Sequence, residues 1–184
     1  MSLNRLIAFL FLLLLSPFLI LVTMLIFIED GRPIFFKQKR VGVNYSFFII
    51  YKFRSMKKNT PNVATHLLIN PDQYLLRIGK FIRKSSIDEL PNLINIIRGE
   101  MVFVGPRPAL YNQGDLMNLR IAAGVDKLKP GITGWAQING RDDITIEKKV
   151  ELEKEYMNKK SINLDCEIII KTLINVLISK GVSY

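Results

Sequence analysis

Arg83-Lys84-Ser85-Ser86-Ile87-Asp88-Glu89-Leu90-Pro91 places two adjacent carboxylates just behind two cations. Two kinds of reading fit it. Ser86 and Glu89 have capping-box spacing, in which each side chain satisfies a backbone N–H at a helix start. In a second frame Asp88 is the N-cap and Pro91 falls in the first turn, where its missing N–H is harmless. Both frames put Asp88 at a helix N-terminus, where backbone N–H groups favour an anion. An ionised Asp beside Arg83 and Lys84 is also equipped to attack a phosphorus centre, because the cations can hold phosphate oxygens. Residue types and spacing leave cap and nucleophile open.

Three other stretches carry chemistry in one reading and structure in another. In Gly105-Pro106-Arg107-Pro108 two prolines fix the backbone around one Arg. A guanidinium so placed binds phosphate as a fork, or simply sits solvated on a rigid turn. Lys52 and Arg54 fall on one face of a strand, since strand side chains alternate; the result is a basic binding face or a solvated one. Pro130-Gly131-Ile132-Thr133-Gly134-Trp135 allows close backbone approach and holds the single tryptophan. Trp135 reads as lid, stacking platform or core.

Elements must position these groups. Ile34–Phe36 and Tyr45–Phe53, joined through Val41-Gly42-Val43-Asn44, read as a β-hairpin. Pro71–Lys84 has helical spacing, and a second helix follows Ser85-Ser86 and stops at Gly99. Met101–Val104 is a short apolar run, Leu110–Ala123 is helical, and Lys129–Arg141 is loop and turn. Ile146–Lys160 is a charged helix with an attractive Glu155–Lys159 pair. Leu164–Ile178 carries a broad apolar stripe that fits either a core helix or one lying in a membrane interface.

Composition narrows the class. The 184 residues include 26 Lys+Arg and 16 Asp+Glu, a net charge of +10, yet 49% are hydrophobic. Leu6–Ile28 resolves the contrast: it has no charge, and only Ser16, Pro17 and Thr23 in it are not apolar. As a helix it is about 35 Å long, enough for a bilayer core of about 30 Å. Arg32, Lys37, Lys39 and Arg40 follow it, which places the globular part in the cytoplasm by the positive-inside rule. Ser16-Pro17 near its middle permits a sharp bend, so spanning and bent forms both stand. The chain has one cysteine, Cys166, and one histidine, His66. An intrachain disulfide, a cysteine zinc site and a histidine-rich metal site are excluded. Any catalysis rests on carboxylates, Arg/Lys and a hard metal held by oxygen. Basic charge alone also fits nucleic acid, but Lys and Arg are spread over every element and no recognition motif appears. Anionic headgroups or phosphate substrates are the more economical partners.

Taken in order, these residues resemble the bacterial sugar transferase family, the small monotopic phosphoglycosyl transferases. The match runs through Ser16-Pro17, Lys52-Phe53-Arg54-Ser55-Met56, Arg83–Leu93, Gly99-Glu100-Met101 and Val104–Pro108. It continues through Lys129–Trp135 and Asn139-Gly140-Arg141 to Leu164-Asp165. The resemblance implies an α+β, mainly helical fold: a re-entrant membrane helix (1–30), a small β-hairpin, and interfacial amphipathic helices around a compact catalytic domain (31–184). It implies transfer of a sugar-1-phosphate from a UDP-sugar to polyprenyl (undecaprenyl) phosphate, with release of UMP, at the start of membrane-associated glycan assembly. Asp88 would attack the β-phosphorus and form a phosphosugar intermediate, assisted by Glu89. Arg83 and Arg107 would neutralise phosphate charge, with Lys52, Arg54 and Arg141 as further phosphate-binding residues. Mg²⁺ would bridge the diphosphate at Asp88. Glu153, where the family tends to have Asp ahead of Glu155-Tyr156, is a candidate additional carboxylate. The enzyme would sit on the cytoplasmic face of a bacterial inner membrane, among anionic lipids, with no nucleic-acid partner. The rival is a membrane-anchored basic adaptor that binds anionic lipid or nucleic acid without catalysis.

Overall fold

The computed structural model describes residues 2–61, 70–140 and 144–178. The chain is mainly helical, with two small sheets and an apolar N-terminal helix, α1 (Leu3–Asp30). Helix α1 runs unbroken through Pro17, and the Ser16 hydroxyl donates to the Leu13 carbonyl at 2.8 Å. At 1.5 Å per residue it is about 42 Å long. Among the described residues it is the one helix long and apolar enough to cross a membrane.

Both ends of α1 rest on the rest of the chain. Near its start, Ala8 is buried against Phe48, Ile50, Leu93, Ile96 and Met101, and the Arg5 Nε donates to the Ile97 carbonyl at 2.6 Å. Near its end, Val22 and Ile26 pack with Phe53, Leu76 and Ile82, and Glu29 accepts from the Arg77 N–H at 2.6 Å. Between them Leu10, Leu13, Leu14 and Leu21 stay exposed.

The expected hairpin is present. Strands β1 (Phe35–Val41) and β2 (Phe47–Phe53) pair antiparallel, with Arg40 opposite Phe48, Gln38 opposite Ile50 and Phe36 opposite Lys52. Those residues share one face of the hairpin, which packs inward through Phe48 and Ile50.

The single helix expected over Pro71–Lys84 is instead a 3₁₀ turn, Pro71–Tyr74, and a short helix α2 (Gly79–Lys84). Between them Leu75 bridges Met56 and the Leu76 N–H donates to the Ser55 carbonyl, so the backbone there is spent on tertiary pairing. The next helix is also divided, into a 3₁₀ turn Ile87–Asn92 and α3 (Leu93–Arg98). Pro91 lies inside that turn and has no N–H for an α-type bond.

Strand β3 (Val102–Val104) pairs in parallel with β4 (Gly131–Thr133), inside a stretch expected to be loop. Gly105, Gly131 and Gly134 make this approach possible. A Cβ at Gly134 would lie 2.1 Å from the Gly105 carbonyl oxygen, and one at Gly131 would lie 2.2 Å from the Gly105 nitrogen. Helices α4 (Gly114–Ala123), α5 (Trp135–Ile138), α6 (Ile146–Lys159) and α7 (Ile162–Leu177) complete the chain. The Tyr156 hydroxyl on α6 lies 2.7 Å from Asp165 Oδ1 and 3.2 Å from the Val104 carbonyl, tying α7 and β3 together. On α7 Ile168 is fully buried, while Ile162, Ile170, Leu173 and Leu177 are exposed.

Candidate active site

Asp88 and Glu89 sit in the first turn of Ile87–Asn92. Neither capping reading is realised: Ser86 precedes the turn in a left-handed conformation, φ 57°, and its side chain makes no capping hydrogen bond. The two adjacent carboxylates therefore have no shared capping task and face different surroundings.

Glu89 is clamped. Its Oε1 accepts from Lys52 Nζ at 2.6 Å and from Arg107 Nη2 at 3.3 Å. Burial alone would push its carboxyl up, but those two cations overcome it and hold the group well below the usual carboxylate range. Asp88 is partly exposed and forms no hydrogen bond or ion pair with any described residue. Burial pushes its carboxyl up to about 6, Lys52 opposes this, the Glu89 charge adds to it, and Arg83 and Arg107 oppose it again.

The segment carrying Arg107 is held from three sides. The Gly105 N–H donates to Thr133 at 2.9 Å, and the Pro106 carbonyl accepts from the Gly131 N–H at 2.9 Å. The Arg107 carbonyl accepts from Arg120 Nη2 at 2.9 Å. The Pro108 carbonyl accepts from Arg40 Nη1 at 3.0 Å. Between this segment and the hairpin lies a small open depression, lined among others by Arg40, Lys52, Glu89, Asn92 and Arg107.

The structure thus brings together Asp88, Glu89, Lys52 and Arg107, with Arg83 near enough to act on the Asp88 charge. Arg54 stands apart and is corrected. It shares the face of Lys52, as alternation requires, but two strand residues advance about 7 Å. There its guanidinium pairs with Asp30 and donates to the Asp30 and Gly31 carbonyls at the end of α1. A cation at helix C-terminal carbonyls is a structural tie. Glu153 is corrected too: it is buried at 2% exposure and takes a two-pronged bond from Arg120, at 2.8 and 2.5 Å. It reaches the site only through Arg120 and the Arg107 carbonyl. Arg141 lies outside the described residues. Trp135 is structural: its Nε1 donates to Glu155 at 3.0 Å and Lys171 lies over its ring.

Sequence reasoning missed Arg40, Asn92 and Arg120 as neighbours of the site. Arg40 had a signal, because extending β1 by alternation puts Phe36, Gln38 and Arg40 on one face. Nothing local marks Asn92 or Arg120.

A family model for bacterial sugar transferases matches residues 1–179. The chain belongs to the bacterial sugar transferase family. It is an enzyme, a phosphoglycosyl transferase. It is 42% identical over 177 residues to the uncharacterized sugar transferase EpsL of Bacillus subtilis, covering 95% of this chain and 86% of that one. It is 36% identical over 182 residues to the UDP-glucose:undecaprenyl-phosphate glucose-1-phosphate transferase of Escherichia coli, covering 95% of this chain but 39% of that one. It is 36% identical over 173 residues to the UDP-N-acetylgalactosamine-undecaprenyl-phosphate N-acetylgalactosaminephosphotransferase of Aeromonas hydrophila, covering 90% of this chain and 40% of that one. The chain thus spans most of EpsL and less than half of the two longer relatives.

Proposed function

We propose that this transferase moves a sugar-1-phosphate from a UDP-sugar to undecaprenyl phosphate and releases UMP, through a covalent intermediate on Asp88. One observation carries the mechanism: a partly exposed carboxylate without a partner among the described residues stands beside a second carboxylate that two cations hold ionised. The names of two relatives support the choice of substrates.

In the first step an Asp88 oxygen attacks the β-phosphorus. The bond from that phosphorus to the bridging oxygen breaks, and UMP leaves with the electron pair. In the second step an oxygen of the lipid phosphate attacks the same phosphorus and the Asp88 carboxylate is released. At pH 7 a carboxyl near 6 is mostly ionised, so Asp88 needs no base. Glu89 stays charged, so its task is to orient Lys52 and Arg107 rather than to carry a proton. Those cations and Arg83 offset the charge of the phosphate oxygens.

Mg²⁺ fits the residues. Among the described residues no group of three or more His, Cys, Asp or Glu forms a metal cage. Mg²⁺ commonly takes only one or two carboxylates plus substrate phosphates, and Asp88 offers one. When bound, the ion would offset diphosphate charge and ease departure of UMP.

Residues 1–30 are proposed as the membrane element and 31–184 as the catalytic domain on the cytoplasmic face of the inner membrane. Contacts of both α1 ends with the same domain support a re-entrant path, because a helix crossing the bilayer carries one end away. The exposed apolar face of α7 suits a helix lying in the interface, where anionic lipids meet the basic domain.

The test is UMP release from a panel of UDP-sugars with undecaprenyl phosphate and Mg²⁺, followed by mass spectrometry of the peptide containing Asp88 after incubation with donor alone. Wild type should gain the mass of the sugar phosphate and Asp88→Asn should not. Full turnover in Asp88→Asn would remove the nucleophile assignment. Salt-sensitive lipid binding without any turnover would favour the adaptor.

A further inference from the structure

The Pro130–Trp135 stretch takes no part in the reaction above, yet the fold ties it to Arg107. Strand β4 within it pairs with β3 through Val102 with Gly131 and Val104 with Thr133. Strands this short do not hold themselves in place. Helix α7 braces them. Ile168 is fully buried in a cluster with Val104, and the contact of Asp165 with Tyr156 reaches the Val104 carbonyl. Thr172 reaches β4 instead: its Oγ1 lies 2.6 Å from Thr133 Oγ1. A threonine hydroxyl has one proton to give. Thr172 gives its own to the Ile168 carbonyl at 2.7 Å, so in the contact between the two hydroxyls Thr133 donates and Thr172 accepts.

From Thr133 the path to Arg107 is short. The Thr133 carbonyl accepts from the Gly105 N–H at 2.9 Å, and the Gly131 N–H donates to the Pro106 carbonyl at 2.9 Å. Arg107 follows, with its Nη2 3.3 Å from Glu89 Oε1. Two hydroxyls can meet at 2.6 Å, whereas carbon atoms stand about 3.5–4.0 Å apart. The pair therefore draws α7 onto β4 about 1 Å closer than an apolar contact would. Building on the transfer reaction above, we propose that Thr172 is a positioning residue for Arg107. By accepting from Thr133 it seats β4 on α7, and β4 sets where the Arg107 guanidinium meets the transferred phosphate. Thr172 acts through Arg107 and touches neither substrate.

The experiment uses the full chain in nanodiscs, with UDP-glucose and UDP-N-acetylgalactosamine as donors and undecaprenyl phosphate as acceptor. Thr172→Val keeps the shape of the side chain and removes its hydroxyl. It should lower kcat/KM for UMP release about tenfold, within the cost of a misplacement of about 1 Å. Thr172→Ser keeps the acceptor and should stay within about twofold of wild type. Thr133→Val should match Thr172→Val, and both together should lose no more than either, because all three remove the same bond. A residue that only supports the fold would cost the same factor whatever stands at position 107. A positioning residue would not: in Arg107→Lys, Thr172→Val should lower the remaining rate by less than about threefold. An unchanged rate in Thr172→Val, or a full tenfold fall in both backgrounds, overturns the proposal while the transfer reaction stands. If wild type turns over neither donor, the transfer reading fails separately, and hydrogen exchange tests the brace without turnover. Thr172→Val should then speed exchange at the Gly105 and Gly131 amides, and exchange equal to wild type overturns the proposal.

Discussion

Asp88→Asn should abolish turnover and stabilise the fold at the same time. The folded protein raises the Asp88 carboxyl from 3.8 to about 6, first by burial and then by the Glu89 charge, against the opposing cations. At about 1.4 kcal/mol per unit, the ionised group costs roughly 3 kcal/mol at pH 7, and less where Glu89 relaxes in response. The direction with pH follows from proton binding. The folded state holds this proton more tightly than the unfolded chain, so the penalty is absent below about pH 4, grows from 4 to 6, and is constant above. Asparagine keeps the shape and removes the charge. At pH 7 the variant should melt roughly 6–12 °C above wild type, taking about 2–4 °C per kcal/mol for a chain of this size. At pH 4 the two should melt together. The assay is thermal unfolding followed by circular dichroism at both pH values in one detergent, with UMP release measured in parallel at pH 7. A variant less stable at pH 7 would show that the carboxylate holds the Ile87–Asn92 turn, which is the capping reading. A gain of equal size at both pH values would show that it does not come from charge.

The same carboxyl sets the acid limb of catalysis: kcat/KM for the donor should rise with pH about a midpoint near 6, and Lys52→Met, which removes a cation that favours the charged form, should move that midpoint upward. Glu153→Gln should cost about 3–5 kcal/mol by leaving Arg120 buried and unpaired, whereas Arg120→Met with Glu153→Leu should recover most of that stability in denaturant titration yet still slow turnover, because the Arg107 carbonyl loses its donor. Gly134→Ala should cost about 3 kcal/mol or prevent folding, since its Cβ would meet the Gly105 carbonyl oxygen at 2.1 Å; unchanged melting would show that the β3–β4 approach is looser than described.

What was legible in the residues follows the range of the forces involved. The hairpin was readable because aromatic and β-branched residues mark β2 on their own, and the charged α6 because its charges pair at i,i+4 spacing, as Glu155 and Lys159 do. The extent of β1 was not, because Lys37 to Arg40 looks like a basic cluster next to a membrane segment; pairing with β2 makes it a strand. Strand β4 has only three residues, too few for a periodic signal, and exists because three glycines let two backbones meet. The site was legible as residue types: Lys52, Arg83, Asp88, Glu89 and Arg107 were all named from local sequence. Which of them touch was not, since Glu89 meets Lys52 across 37 positions and Arg107 across 18. Arg54 was misplaced for the same reason: alternation gives the face of a side chain but not what stands opposite it, and Asp30 stands there.

Asp88 and Glu89 are neighbours with nearly the same chemistry, and the fold makes them differ. In both capping frames one of them serves a helix start. The structure instead puts Ser86 in a left-handed conformation and the pair on a 3₁₀ turn, so one carboxylate meets Lys52 and Arg107 while the other meets neither as a bonded partner. Two titratable groups pushed apart by their surroundings can hold different tasks at one pH. Glu89 remains an anion and organises cations that would otherwise repel each other. With Glu89 neutralising one of them, the clamp keeps a net positive charge of about one from Lys52 and Arg107, and Arg83 adds to it. That residual charge opposes, without cancelling, the burial that keeps Asp88 near 6. A carboxylate bonded directly to those cations would be firmly ionised but a poor nucleophile, its lone pairs already engaged. Held near them but unbonded, Asp88 stays mostly ionised at pH 7 and free to react. The clamp on Glu89 is therefore what leaves Asp88 available.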